Sequence, residues 1–385
     1  MSKHDFTAEE FASRLARARA AIGKAGLDWL LVIHPVSMRW LIGQDNKSYT
    51  AFQCLPVSAR EGRLEVFTRD MERNEFESDS MAHSVWSYNG REPEDPMEAF
   101  ARFADALGLK SSRVGMEVPA YYLHPQHYVK LKDMLGSALV AEPNGLINGL
   151  KVTKSPQELA YHRRSAAIAA EAWKALLSVA REGASELELS GAAYQKILAL
   201  GSFLPASTMN LVTGERSCFA LGGPTERKMQ RHDTGLVELG GAYKRYTSTL
   251  GRQWSIGKPS ARLIDLHKIV RDASDAAMAK MKAGAAAIEA HEALKGVIAK
   301  AGLDHCRQHT SGYGMAPGFP PSWGEPTNMF GGSKDVLQAN MVMTIEPGVF
   351  IKEEGIGVRL IDNCIIKDDG IDLLSTTPRD IAVID

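Results

Sequence analysis

Residues 235–257, GLVELGGAYKRYTSTLGRQWSIG, carry the pattern that decides the fold of the second half of this protein. Apolar and polar residues alternate on both sides of Gly240-Gly241, which predicts two antiparallel strands with a turn at the glycine pair. Glu238 is the exception in the first of these strands, because its neighbours in the strand are apolar residues and glycines. A carboxylate in a buried strand is costly unless another group pairs with it. Glu238 is therefore a candidate functional residue.

Three further segments of the second half combine glycines with groups that can carry chemistry. They are HTSGYG (309–314), MTIEPG (343–348) and GIGVRLIDN (355–363). Glu346 of the second segment again lies among apolar residues. Two such carboxylates suggest a shared site, because mutual repulsion and desolvation would shift their pKa values apart. The alternative is structural, with each carboxylate neutralised by an arginine or by backbone donors at a sheet edge.

The chain is organised as two domains, with a predicted boundary at residue 150. Strand-like runs such as DWLLVIH (28–34) alternate with helical segments before it, which indicates a small α/β domain over residues 1–150. Ser155-Pro-Gln-Glu158 then forms a capping box that opens a long Ala-rich helix. Helices grouped with hairpins follow it, so residues 151–385 are predicted to form an α+β domain.

Composition excludes several classes of protein. The 385 residues contain 45 Lys and Arg against 46 Asp and Glu, and a nucleic-acid-binding or membrane-coating surface would normally need a basic excess. There is no apolar run long enough for a membrane span. The four cysteines have no framework spacing. We expect a cytoplasmic enzyme with no nucleic-acid or membrane partner.

Taken in order, the landmarks resemble the creatinase/prolidase/methionine aminopeptidase "pita-bread" family over essentially the whole chain. They are KSPQELAYHRRSAAIA (154–169), ELGGAYKRYTSTLGR (238–252), SGYG, IEPG and GVRLIDN. The resemblance implies a creatinase-type α/β N-terminal domain followed by an α+β pita-bread catalytic domain, and it implies a homodimer.

The resemblance also implies where metal ligands would stand. Metallopeptidases of this family bind two divalent ions with two Asp, one His and two Glu. The corresponding positions here are Glu238, Thr249, Tyr313, Glu346 and Ile361. Hard divalent ions need several oxygen or imidazole ligands, so we expect no metal pair and no other cofactor. His309 matches the histidine that handles the substrate proton in the peptidases, whereas the second assisting histidine would fall in PPSWG (320–324), which has none.

These departures favour a metal-independent hydrolase of a C–N bond in a small zwitterionic amidine or amide, similar to the ectoine hydrolases and creatinases. Glu238 would act as nucleophile or general base, and Glu346 would hold a cationic amidinium or pass a proton to the leaving amine. Tyr313 and His309 would supply a phenol donor and a proton carrier. The alternatives are an Xaa-Pro peptidase with an altered metal site and a catalytically inactive binding module.

The remaining candidates are substrate-binding residues. Arg359 could bind a substrate carboxylate or, alternatively, brace the sheet by pairing with Asp362. Trp323 is expected to form a pocket wall, and Thr249 is a further candidate. By resemblance, an N-terminal segment with Trp40 and Tyr49 would reach the active site of the partner subunit and cage a small cation, although packing in a core is the alternative for each.

Overall fold

The computed structural model describes residues 2–385, which divide into two compact units. The first unit ends at Lys151 and the second is Val152–Asp385. Among the described residues, no helix is both long and apolar enough to cross a lipid bilayer.

The first unit is an α/β domain, as predicted. Its helices are α1 (Ala8–Lys24), α2 (Pro35–Ile42), α3 (Arg73–Asp79), α4 (Pro96–Ala106), α5 (Pro125–Leu135) and α6 (Gly145–Lys151). Its strands are β1 (Trp29–Val32), β2 (Leu55–Ser58), β3 (Glu65–Arg69), β4 (Ser84–Tyr88), β5 (Val114–Met116) and β6 (Leu139–Ala141). Four strands form a sheet of order β2-β1-β5-β6, while β3 and β4 form a parallel pair.

The second unit combines four long helices with a large, mainly antiparallel sheet. The helices are α7 (Pro156–Val179), α8 (Glu186–Ala199), α9 (Ala261–Met278) and α10 (Ala287–Lys300). The strands are β7 (Asn210–Thr213), β8 (Thr234–Tyr243), β9 (Tyr246–Ile256), β10 (Gly312–Phe319), β11 (Ser322–Met329), β12 (Val342–Ile345), β13 (Gly348–Ile351), β14 (Ile356–Arg359), β15 (Asp362–Ile366), β16 (Ile371–Leu373) and β17 (Ala382–Ile384). The main path of the nine-stranded sheet is β16-β15-β12-β10-β9-β8-β7.

The capping boxes start the helices where the sequence predicts. The Ser155 hydroxyl accepts a hydrogen bond from the backbone N–H of Glu158, and the Glu158 carboxylate accepts one from the backbone N–H of Ser155. Ser185 and Glu188 repeat the arrangement at α8. Each box satisfies two backbone donors that a helix start leaves without partners, so these helix starts are encoded locally.

The hairpin of β8 and β9 forms as predicted, but its turn is not at the glycines. Lys244 and Arg245, both with positive φ, make the two-residue turn, and Gly240 and Gly241 pair within the strands with Thr249 and Ser248. Gly241 is needed there for a different reason. A Cβ on it would collide with the backbone carbonyl oxygen of Ser165 on α7, so the glycine lets the helix lie directly on the strand.

Alternation along the strands separates a helix-covered face from a polar face. Val237 and Leu239 of β8 belong to the core that packs under α7 and α8. Glu238 stands between them and therefore points to the opposite face of the sheet. Glu346, which follows β12 directly, is likewise buried next to a strand whose Met343 and Ile345 belong to the core under α9 and α10.

Candidate active site

Two donors hold one oxygen of the Glu238 carboxylate. Asn210 of β7 is the register partner of Glu238, and its side-chain Nδ2 donates to Glu238 Oε2 at 2.9 Å. Arg359 Nη1, at the end of β14, donates to the same oxygen. No hydrogen bond to Oε1 occurs among the described residues. The lone pairs of Oε1 are consequently free for attack on a substrate or on the proton of a water molecule.

The second carboxylate, Glu346, is almost fully buried. Its backbone N–H donates to the Ser311 carbonyl at 2.9 Å, which ties the end of β12 to the start of β10. Burial, followed by the negative charge of Glu238, raises the pKa of Glu346 to about 7, while Arg359 opposes the shift. Glu346 can therefore exchange a proton near neutral pH, as a general acid or base must.

His309 and Tyr313 lie beside these carboxylates. His309 Nδ1 is 3.4 Å from Glu346 Oε2. Burial first and the charge of Arg359 second lower the pKa of His309, whereas Glu238 acts in the opposite direction. Burial and the charges of both glutamates raise the pKa of Tyr313 well above its usual value. Tyr313 therefore remains a neutral phenol, and its oxygen accepts a hydrogen bond from Trp323 Nε1 at 3.0 Å.

Arg359 does not pair with Asp362, contrary to the bracing alternative. Asp362 instead bonds to Arg252 Nη2 at 2.6 Å, and Arg379 Nε lies 3.0 Å from its other oxygen. The two residues separate because β14 pairs with β13 whereas β15 pairs with β12. The guanidinium of Arg359 is buried, and its Nε and Nη2 have no hydrogen-bond partner among the described residues. Its positive charge is directed at Glu238.

Two of the five family metal positions hold residues that offer no charged ligand. Thr249 Oγ1 accepts a hydrogen bond from Asn363 Nδ2 at 3.0 Å, so its predicted substrate contact stays a prediction. The apolar Ile361 is fully buried, and its backbone forms a β-bridge with Gly251.

The residues present do not fit a pair of divalent metal ions. The site offers three possible metal ligands, the carboxylates of Glu238 and Glu346 and the imidazole of His309. One oxygen of Glu238 already accepts a hydrogen bond from a guanidinium. Throughout residues 2–385, no cluster of three or more His, Cys, Asp or Glu side chains is arranged to hold a metal ion. Two divalent ions need more oxygen or imidazole ligands than this set supplies.

The structure thus brings six of the predicted residues together in the second unit: Glu238, Glu346, His309, Tyr313, Arg359 and Trp323. Trp40 and Tyr49 lie in the first unit. Trp40 is 1% exposed and belongs to the core of that unit, with the guanidinium groups of Arg14 and Arg17 over its ring, which favours packing over substrate binding. The Tyr49 ring contacts that of Tyr122.

Asn210 is the residue that sequence analysis missed. The available signal was a polar residue between Met209 and Leu211 in a short apolar run. That signal could not be interpreted without the pairing of β7 with β8, which places Asn210 opposite Glu238.

The chain is similar to known hydrolases in sequence and to known peptidases in fold. A sequence model described as metallopeptidase family M24 matches residues 160–368, and one described as the creatinase/prolidase N-terminal domain matches residues 14–150. The ectoine hydrolase of Halomonas elongata is 26% identical over 98% of both chains. The Xaa-Pro dipeptidase of Pyrococcus horikoshii is 26% identical over 74% of this chain and 80% of its own. In fold, the chain matches the Xaa-Pro dipeptidase structure from Bacillus anthracis with a TM-score of 0.85, at 23% identity, over 97% of this chain and 100% of that one.

Proposed function

From the premise that this chain is a hydrolase belonging to metallopeptidase family M24, we propose that it cleaves a C–N bond of a small zwitterionic cyclic amidine without a metal ion, with Glu238 as the nucleophile. The observation that carries the proposal is the pairing of Glu238 Oε2 with Arg359 and Asn210, which leaves Oε1 free. The partner of this carboxylate is thus a guanidinium of the chain itself. The similarity to a protein named ectoine hydrolase supports the choice of a cyclic amidine.

The charges of the site suit such a substrate. An amidinium carries one positive charge, which offsets the repulsion between Glu238 and Glu346 when it lies between them. Burial strengthens these interactions, because the surrounding groups replace water around the charges. Tyr313 adds a neutral hydroxyl that can orient the substrate.

The proposed reaction has two stages. Glu238 Oε1 forms a bond to the amidinium carbon, one C–N bond of that carbon breaks, and a proton from Glu346 neutralises the departing nitrogen. Water then attacks the ester-like adduct, which releases Glu238 and leaves a carbonyl oxygen on the carbon. In total one water molecule is consumed, and the product is a single ring-opened molecule that bears an amide and an amine. His309, 3.4 Å from Glu346, would return the proton.

The test is the activity of Glu238→Gln on ectoine, in the presence and absence of a chelator. We expect the wild-type enzyme to keep its rate in chelator and to contain less than stoichiometric metal. Glu238→Gln should lose at least about 10³-fold in kcat, because an amide oxygen is a poor nucleophile. Glu353→Gln, a change at an exposed glutamate of the same unit, should match the wild type. A wild-type rate in Glu238→Gln would remove the assigned role.

A rapid quench separates nucleophilic from general-base action of Glu238. When the reaction is stopped in acid during turnover, a covalent adduct should add the mass of the ring-opened substrate to the peptide that contains Glu238. Turnover without any such peptide would assign Glu238 to base catalysis through water.

A second candidate function is Xaa-Pro dipeptidase activity, which the names of a sequence relative and a structural neighbour favour. That activity would require bound metal. Stoichiometric manganese, cobalt, zinc or iron, together with loss of dipeptide hydrolysis in chelator, would establish it in place of the proposed one.

A further inference from the structure

A cavity of about 510 Å³ lies beside the catalytic cluster, within the second unit. Its principal lining residues are His291, Lys295, Arg307, His309, Asn328 and Phe330. None of the roles assigned above uses this cavity, except that His309 forms part of its wall. Its volume is sufficient for part of a small organic molecule.

The groups that line the cavity are mainly hydrogen-bond donors. Lys295 and Arg307 contribute two positive charges, and no carboxylate belongs to the lining. Asp304 is 3.0 Å from Arg307 Nε, and Glu292 is 4.0 Å from Lys295 Nζ and 3.8 Å from His291 Nε2. Burial first, then Arg307 and Lys295, lower the pKa of His291, while Glu292 opposes the shift.

Asn328 strengthens the donor character of the cavity. Its Oδ1 lies 2.5 Å from the Thr310 hydroxyl oxygen, and its amide NH₂ offers two N–H donors. An ammonium, a guanidinium and an amide NH₂ together match the oxygens of a carboxylate or a phosphate.

His309 connects the cavity to the acidic pair. Its ring lines the cavity while its Nδ1 lies 3.4 Å from Glu346. His309 is thus shared by the pair of glutamates and the cavity that Lys295 and Arg307 line. This spatial arrangement of charges suits a zwitterionic ligand, whose cationic end would lie at the glutamates and whose anionic end would lie in the cavity.

We propose that the cavity binds the carboxylate of the substrate and thereby selects zwitterionic amidines over amidines without an anionic group; this inference rests on the function proposed above. Arg359 is also a cation of the site, and its Nη1 is paired with Glu238. Lys295 and Arg307 are the proposed carboxylate ligands because they are the cations that line the cavity.

The first experiment compares Lys295→Met with Lys300→Met, a matched change further along α10 outside the cavity. Rates are measured on ectoine and on the same cyclic amidine without its carboxylate. We expect Lys295→Met to lower kcat/KM for ectoine about tenfold, mainly through KM, and to leave the rate on the decarboxylated amidine unchanged. Equal losses on both amidines, or no loss on either, would overturn the proposal.

The second experiment does not depend on amidine hydrolysis. Acetate, phosphate and chloride are compared at equal ionic strength for their effect on the melting temperature of the wild type and of both lysine variants. Acetate should raise the melting temperature of the wild type and of Lys300→Met, and should raise that of Lys295→Met less, because a ligand that binds the native state stabilises it by mass action. This result would support the carboxylate site even if no amidine were hydrolysed. Stabilisation by phosphate alone, or an equal effect of acetate on all three proteins, would overturn it.

Discussion

At the scale of single residues, the site is defined by how each charged group is compensated. Glu238 has two donors on one oxygen, whereas Glu346 is almost fully buried, with His309 Nδ1 3.4 Å from its Oε2. Two chemically identical side chains are thereby given different roles. Glu238 is oriented by its two donors, whereas Glu346, with a pKa of about 7, can carry a proton near neutral pH.

The raised pKa of Glu346 predicts how its substitution changes stability with pH. Its pKa is about 7 in the folded protein against 4.5 for the ordinary group, so the folded state binds more protons between these values. The free energy of unfolding should therefore fall as pH rises from 4.5 to 7, by about 3 kcal/mol from this group. Glu346→Gln should lose that contribution. Urea unfolding of both proteins at several pH values measures the difference, and parallel curves would contradict the assignment.

The hydrogen bond from Asn210 predicts a positioning role. Asn210→Ala removes one of the two donors to Glu238 Oε2 and should lower kcat/KM about ten- to hundredfold, since a hydrogen bond to a charged group contributes roughly 1.5–3 kcal/mol. The loss should fall on kcat more than on KM, because Asn210 orients the nucleophile. Asn210→Asp should lower kcat/KM further than Asn210→Ala does, since it places a second negative charge beside Glu238. Unchanged kinetics in the alanine variant would rule out the role.

At the scale of the elements, the hairpin of β8 and β9 organises the second unit. It presents Val237 and Leu239 to the helices and Glu238 to the site, so one strand serves the core and the chemistry at once. At Gly241 the backbone of α7 packs directly against β8, with no side chain between the helix and the strand. Pro and Ser at the start of α7 and the two-residue turn at Lys244-Arg245 set the ends of these elements.

The contact between α7 and β8 predicts the effect of a single methyl group. Gly241→Ala would push its Cβ into the Ser165 carbonyl oxygen, which belongs to helix backbone and cannot move aside alone. The substitution should lower the free energy of unfolding by about 1–3 kcal/mol. Gly191→Ala on α8 is the matched control, because nothing lies within 4 Å of its added Cβ. It should be neutral or stabilising by up to about 1 kcal/mol. Equal effects of the two changes in urea unfolding would contradict this account of Gly241.

At the scale of the whole molecule, charge is balanced globally and separated locally. The formal net charge is −1, yet the second unit contains an acidic pair and, on the other side of His309, a basic cavity. The net charge of the whole chain therefore does not reveal the acidic pair or the basic cavity. Local separation of charge can orient a small dipolar ligand even when the long-range field of the protein is weak.

The homodimer implied by the family resemblance remains a prediction at this scale. Light scattering during size-exclusion chromatography should give twice the mass of the chain. If the N-terminal segment reaches the partner's site, Tyr49→Ala should lower activity while the dimer persists. A chain that is active as a monomer at all concentrations would exclude a contribution of Tyr49 or Trp40 from a partner subunit.

Features whose physical causes lie within a few residues of the chain are readable from the sequence alone. The capping boxes at Ser155 and Ser185 predicted the helix starts, and a carboxylate in an otherwise apolar run marked Glu238, because helix capping and the two-residue period of a strand act locally. The pita-bread fold and the roles expected of His309 and Tyr313 came instead from the resemblance to a known family.

Contacts between groups that are distant in the chain are known from the tertiary structure alone. The hairpin turn was predicted at Gly240-Gly241 but lies at Lys244-Arg245. Gly241 is instead a strand residue, where the absence of a Cβ lets α7 pack on the strand. The tertiary structure also pairs Arg359 with Glu238, 121 positions away, instead of with nearby Asp362. The physical reason is the same in both cases. The partner of a buried side chain depends on which strands and helices pack together across long separations, and no local pattern of residues encodes that choice.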